Sequence, residues 1–167
     1  MALSTAIMPL EGVLRKPKTP GWTPIAEGFK LYESLCYNYS VCLLVDAEER
    51  EQVDRWLVVN GLQGHSIVEE LATVEVTIYG EGDAKVRKIR DMKFSGFNVD
   101  LVVEPDPAVA ATLINGGFCV ITFTHPVYSL PEWRPDAPKR GPRNWDDLQQ
   151  QIAEQAFLKA TDMRMDE

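Results

Sequence analysis

Residues Ser40 to Gly61 read SVCLLVDAEEREQVDRWLVVNG, and this stretch decides the fold. Its first seven residues, Ser40–Asp46, are a near-continuous apolar run rich in branched side chains. A strand wetted on one face alternates apolar with polar residues. A strand that does not alternate is covered on both faces, as inside a parallel sheet. The chain then turns directly into a helical pattern. Asp46 heads it, Glu49 stands three residues on as in a capping box, Val53, Trp56 and Leu57 share a face, and Gly61 stops it. A buried strand followed by an amphipathic helix is half of a β–α–β crossover.

The same alternation extends in both directions. Upstream, Ser4–Met8 is a short apolar strand closed by Pro9, and the loop RKPKTPGWTP follows, its prolines and glycine forbidding regular structure. From Pro24 to Tyr37, Ile25, Phe29, Tyr32 and Cys36 recur at helical spacing, and Asn38 can end that helix. Downstream, HSIVEE and ATVEVTIYG both read as extended. The second sets Val74, Val76 and Ile78 against Thr73, Glu75 and Thr77, and one of the two continues the sheet. A helix opens on Asp83 and closes on Gly96, with Val86, Ile89 and Met92 or Lys93 at helical spacing and a basic outer face. NVDLVVEPD is another buried strand, and Asp106-Pro107 fills both the cap and the first position of a helix that ends at Gly116-Gly117. FCVITFTHP is the last strong strand, VYSLPEWRPDAPKRGPR is an irregular crossing, and a final helix begins at Asn144.

Strands alternating with helices specify right-handed crossovers, a mostly parallel sheet and helices on both faces: a three-layer α/β/α sandwich. At 167 residues one core is expected, over residues 1–150, with residues 151–167 as a C-terminal helical extension. Ligands of such sheets bind at the carboxyl ends of the strands, so chemistry is sought at Pro9–Gly12, Val45-Asp46, Glu104–Asp106 and Thr124-His125.

Bulk properties narrow the function classes. Asp and Glu number 25 against 17 Lys and Arg, a net charge of −8 that disfavours nonspecific binding to phosphate backbones. The bases from Lys85 to Lys93 read as a solvated helix face, because no aromatic stacking platform accompanies them; a nucleic-acid partner is possible but not favoured. Cys36, Cys42 and Cys119 are odd in number and lie in apolar contexts, which fits buried reduced thiols. His65 lies in a polar loop and is expected to be solvated, and His125 is expected to be structural. No apolar run approaches the roughly 18 residues of a membrane span. A cytoplasmic location is expected, with no membrane partner.

The strand ends PLEGVL, LLVD and VVEPDP, in this order, resemble the haloacid dehalogenase superfamily, particularly its small phosphatase-like members that lack a large cap. The resemblance runs from about Ile7 to Leu148. GFKLYESL, YSVCLLVDAEEREQVDRWL and WRPD…RNWDDL look like phosphatase-like proteins of bacteriophage genomes and, more distantly, polynucleotide phosphatase domains. The family's first strand ends in D-x-D-G-T or D-x-D-G-V, whose first aspartate attacks phosphorus and binds magnesium and whose second carries the leaving-group proton. Laid on this chain, Pro9 stands at the nucleophile and Glu11 at the acid. A pyrrolidine ring offers nothing to phosphorus or to a hard cation. The family's phosphate-binding Ser or Thr falls on Val45, its lysine on Lys85 with Lys88 as second choice, and its magnesium-holding acidic pair on Glu104 and Asp106.

The resemblance therefore implies a degenerate pocket at Pro9, Glu11, Val45 and Lys85, with no catalytic residue and no cofactor. The chain is expected to act by binding a protein partner or itself, as an accessory or virion-associated protein of a phage. The enzyme alternative is a magnesium-dependent phosphohydrolase holding its metal at Glu11, Glu104 and Asp106. A third reading is a binder of phosphorylated nucleic-acid ends.

Overall fold

The computed structural model describes residues 4–16 and 22–123. The chain divides into units Met1–Tyr128 and Ser129–Glu167, and every described residue belongs to the first. Its strands are β1 (Thr5–Pro9), β2 (Ser40–Asp46), β3 (Ile67–Leu71), β4 (Val99–Glu104) and β5 (Val120–Thr122). They form one sheet in the order β3-β2-β1-β4-β5, and every pairing is parallel. Helices α1 (Ala26–Asn38), α2 (Arg50–Val59), α3 (Thr73–Tyr79), α4 (Glu81–Phe94) and α5 (Pro107–Asn115) make the crossovers.

Side-chain alternation along the strands sorts the interior into two cores. Ala6 and Met8 of β1 and Val41, Leu43 and Val45 of β2 join Tyr32 and Leu35 of α1 and Val53 and Leu57 of α2. Ile7 of β1 and Cys42 and Leu44 of β2 join Ala84, Val86, Ile89 and Met92 of α4 and Val109 and Leu113 of α5. The fold is thus the three-layer α/β/α sandwich that the unbroken apolar run of β2 requires. β1 and β2 are buried along almost their whole length because helices cover both faces.

After β1 the chain makes a tight turn, Leu10–Arg15, against the mouth of the sheet. The Leu14 and Arg15 N–H groups both donate to the Leu10 carbonyl, at 3.0 and 3.2 Å, and the Gly12 N–H donates to the Arg15 carbonyl at 2.8 Å. Gly12 takes φ +80°, a left-handed conformation that a side chain disfavours. Helix α1 lies directly on this turn: a Cβ on Gly28 would fall 1.6 Å from the Val13 carbonyl oxygen. That glycine is what lets turn and helix touch.

Several expectations change. The alternating run Thr73–Tyr79 is helix α3, not strand; β3 before it continues the sheet. The helix expected from Asp83 starts two residues earlier, at Glu81. Asp46 makes no side-chain cap; a single 3-10 turn, Ala47–Glu49, precedes α2, and Glu49 pairs elsewhere. Pro24 lies ahead of α1, opposite Arg15 in an antiparallel bridge. Cys119 is exposed just before β5, whereas Cys42 is buried as expected. His65 is half-buried: its backbone N–H donates to the Tyr32 hydroxyl at 2.7 Å, and that hydroxyl lies 2.9 Å from its Nδ1. Burial pushes the His65 pKa down. By contrast, the Asp106-Pro107 helix start is as read, with the Ala108 N–H donating to Asp106 Oδ1 at 2.8 Å. Thr124-His125, the proline-rich crossing, the helix from Asn144 and the 150/151 boundary lie outside the described residues.

Candidate functional site

The carboxyl ends of β1, β2 and β4 carry the residues singled out by sequence, and the fold sorts them into two ion clusters. Pro9 closes β1, is buried, and stands in register with Leu44 of β2. Val45, near the end of β2, is also buried and packs in the core that contains α1 and α2. Neither presents a polar side-chain atom to the mouth.

The first cluster is built on the β1 turn. Glu11 pairs with Arg15 four residues on, and the same Arg15 nitrogen, Nη2, pairs with Glu49 from the turn after β2. Arg15 is 1% exposed, one of the most enclosed large side chains in the protein. Its guanidinium carbon lies 3.7 Å from the centre of the Trp22 ring, a stacked cation–π contact. Trp22 has φ +52°, and its carbonyl accepts the Trp56 indole N–H at 3.0 Å, tying the segment to α2. Glu11 Oε2 and Arg15 Nε and Nη1 are buried without a hydrogen-bond partner. Burial pushes the Glu11 pKa up to about 7 despite the pull of Arg15, and the nearby Glu49 and Asp46 carboxylates add to the rise.

The second cluster centres on Lys85, which α4 delivers to the end of β4. Its Nζ donates to Glu81 Oε1 at 2.7 Å and to Glu104 Oε2 at 2.8 Å. Lys85 and Glu104 are 6% and 1% exposed, so this is a buried ion pair. Burial works against the Lys85 ammonium, but the two carboxylates outweigh it and hold its pKa above the ordinary lysine value. Burial pushes the Glu104 carboxyl up, with Lys85 pulling it back. The other Glu104 oxygen accepts the Asp106 backbone N–H at 3.0 Å. Lys88, the second choice for the family lysine, instead pairs with Glu69 at 2.7 Å.

Asp46, at the end of β2, feels charges of both clusters. Burial raises its pKa first, then the charges of Glu49 and Glu81, while Lys85 and Arg15 pull it down. Lys85 and Glu104 are thus brought together in one cluster, and Glu11 lies in the other. Glu11 feels Arg15, Glu49 and Asp46, whereas Glu104 feels Lys85 and Glu81.

Glu11, Glu104 and Asp106, the three acids expected to hold magnesium in the enzyme alternative, are each engaged within the protein. Both Glu104 oxygens are engaged, Asp106 Oδ1 caps α5, and Glu11 is bound to a guanidinium. Among the described residues no group of three His, Cys, Asp or Glu side chains is arranged to hold a metal.

Sequence reasoning missed Arg15, Trp22, Glu49 and Glu81. Arg15 lies four residues after Glu11, and Glu81 four before Lys85, so an i, i+4 search for opposite charges would have found both. Glu49 reads from the sequence as part of a capping box, and Trp22 as a partner-surface residue or a pin holding its proline-rich loop to the core, neither as a member of an ion cluster. No protein-family model matches the chain, and no curated protein matches it.

Proposed function

We propose that this chain is a haloacid-dehalogenase-like protein without phosphoryl-transfer chemistry, which works by binding a protein partner or a second copy of itself. One observation carries the reading: the residue at the mouth of β1 is a buried proline, in register beside β2. An aspartyl-phosphate route needs a carboxylate there. Two further features support it. Val45 offers no hydroxyl to a phosphoryl group, and Lys85, the residue matching the family lysine, is committed to Glu81 and Glu104. The finer reading, an accessory or virion-associated protein of a phage, rests on the sequence resemblance.

A second reading has a specific observation in its favour. Glu11, at the family's acid position, has one unpartnered oxygen and a pKa raised to about 7, the property of a general acid working near neutrality. A phosphohydrolase using water as nucleophile would exploit it.

The purified full chain, assayed with magnesium on p-nitrophenyl phosphate and on a 3′-phosphorylated oligonucleotide, separates the two. No turnover above buffer is expected. Turnover that disappears in Glu11→Ala establishes the second reading and refutes the first.

A further inference from the structure

We propose that Arg15 is a resident cation: its guanidinium fills the position between Glu11 and Glu49 that a divalent ion would otherwise take, closing the mouth of β1 and β2 to magnesium and manganese. The inference rests on the non-catalytic reading above and deepens it, because it names what holds the pocket silent.

The bonding pattern of Arg15 is the first support. A guanidinium has five N–H donors in a fixed fork, and a buried one is ordinarily used through paired contacts. Here a single nitrogen, Nη2, carries both carboxylates, while Nε and Nη1 are buried and unpartnered. Leaving a buried donor unpaired forfeits its hydration with nothing in return. A side chain placed for its hydrogen bonds would not forgo two of its three nitrogens. One placed for its charge can.

The second support is repetition. Lys85 also sits between two carboxylates, Glu81 and Glu104, so each acidic pair at the strand ends holds one protein cation. Bridging carboxylates is the role a hard divalent ion plays, and magnesium commonly needs only one or two carboxylates, with water completing its shell. Glu11 and Glu49 would suffice if freed. Asp46 is close enough to feel Arg15 and Glu49, so the local charge still attracts cations while the bridging position is taken. The Trp22 ring lies on one face of the guanidinium, shielding it from that side.

The test is a manganese titration of the full chain followed by backbone amide NMR, above the Glu11 pKa. In the natural protein no selective paramagnetic broadening is expected at Leu10–Val13 or Asp46–Glu49. Arg15→Gln should gain broadening at those amides, and adding Glu11→Gln should weaken that binding by about tenfold or more. Folded Arg15→Gln without the gain overturns the proposal. Should Arg15→Gln lose its native amide dispersion, the natural chain decides against its own Glu11→Gln variant: broadening at those amides that Glu11→Gln removes overturns the proposal, and its absence supports it. Manganese binding without phosphatase turnover sinks this inference alone, whereas turnover sinks the reading beneath it.

Discussion

At the scale of single residues, the Lys85–Glu104 pair is held together against the cost of desolvating both charges. A buried ion pair gives little net stability over an apolar pair, but removing one partner strands the other. Lys85→Ala leaves Glu104, 1% exposed, without its cation, and is expected to lower unfolding free energy by about 3–5 kcal/mol in urea titrations. Lys85→Met with Glu104→Gln should recover much of that loss. Glu11 gives a prediction of opposite character. Its folded pKa, about 7, lies above the ordinary 4.5, so the native state holds the proton more tightly than the unfolded chain. The stability this contributes is complete below about 4.5 and is lost as pH rises through about 7. Glu11→Gln should therefore show a smaller fall in melting temperature across that window than the natural protein. Residue identity at the strand ends was readable in the sequence. The pairing of those residues was not, because Arg15 reaches Glu49 across 34 positions that only the finished sheet brings together.

Among elements, the contrast between β2 and α3 explains what could be read. β2 is apolar from Val41 to Val45 and flanked by β1 and β3, so burial and hydrogen bonding demand the same conformation as its branched residues. The run Thr73–Tyr79 carries equally strong strand propensity and yet coils. After β3 the chain leaves the sheet for the crossover to β4, where an extended segment would have no neighbouring strand. A helix supplies its own hydrogen bonds, beginning with the Glu75 and Val76 N–H groups donating to the Ala72 carbonyl. Val76 then packs into the core of α4 and α5, while Val74 and Ile78 stay 68% and 66% exposed. Tertiary context overrides strand propensity in this case. The contact of α1 with the β1 turn is a third element-scale feature, and it predicts that Gly28→Ala is costly out of proportion to one methyl group. The added carbon collides with backbone, at Val13, which cannot rotate away. A loss of about 1–3 kcal/mol or more is expected by thermal or urea melting, against a near-neutral Glu27→Ala control on the solvent side.

At the scale of the described residues, the centre and edges of the sheet differ sharply in enclosure. β1 lies between β2 and β4 and is buried at all five positions; β5 has three residues, two of them exposed. Native-state hydrogen exchange should follow that gradient. Amides of β1 and β2 are expected to exchange only by global unfolding, and those of β5 and α3 by local opening many-fold faster. Equal protection of β5 and β1 would contradict the described layering.

Parallel topology gathers every strand's carboxyl end on one side, the side on which the helices that follow begin. The backbone amides exposed at those helix starts carry partial positive charge. Glu48 before α2 and Asp83 in the first turn of α4 therefore serve as counter-ions to the scaffold itself, while Glu49 and Glu81 direct their charge to Arg15 and Lys85. Carboxylates seated beside those amides weaken the pull that bare helix starts exert on an anion.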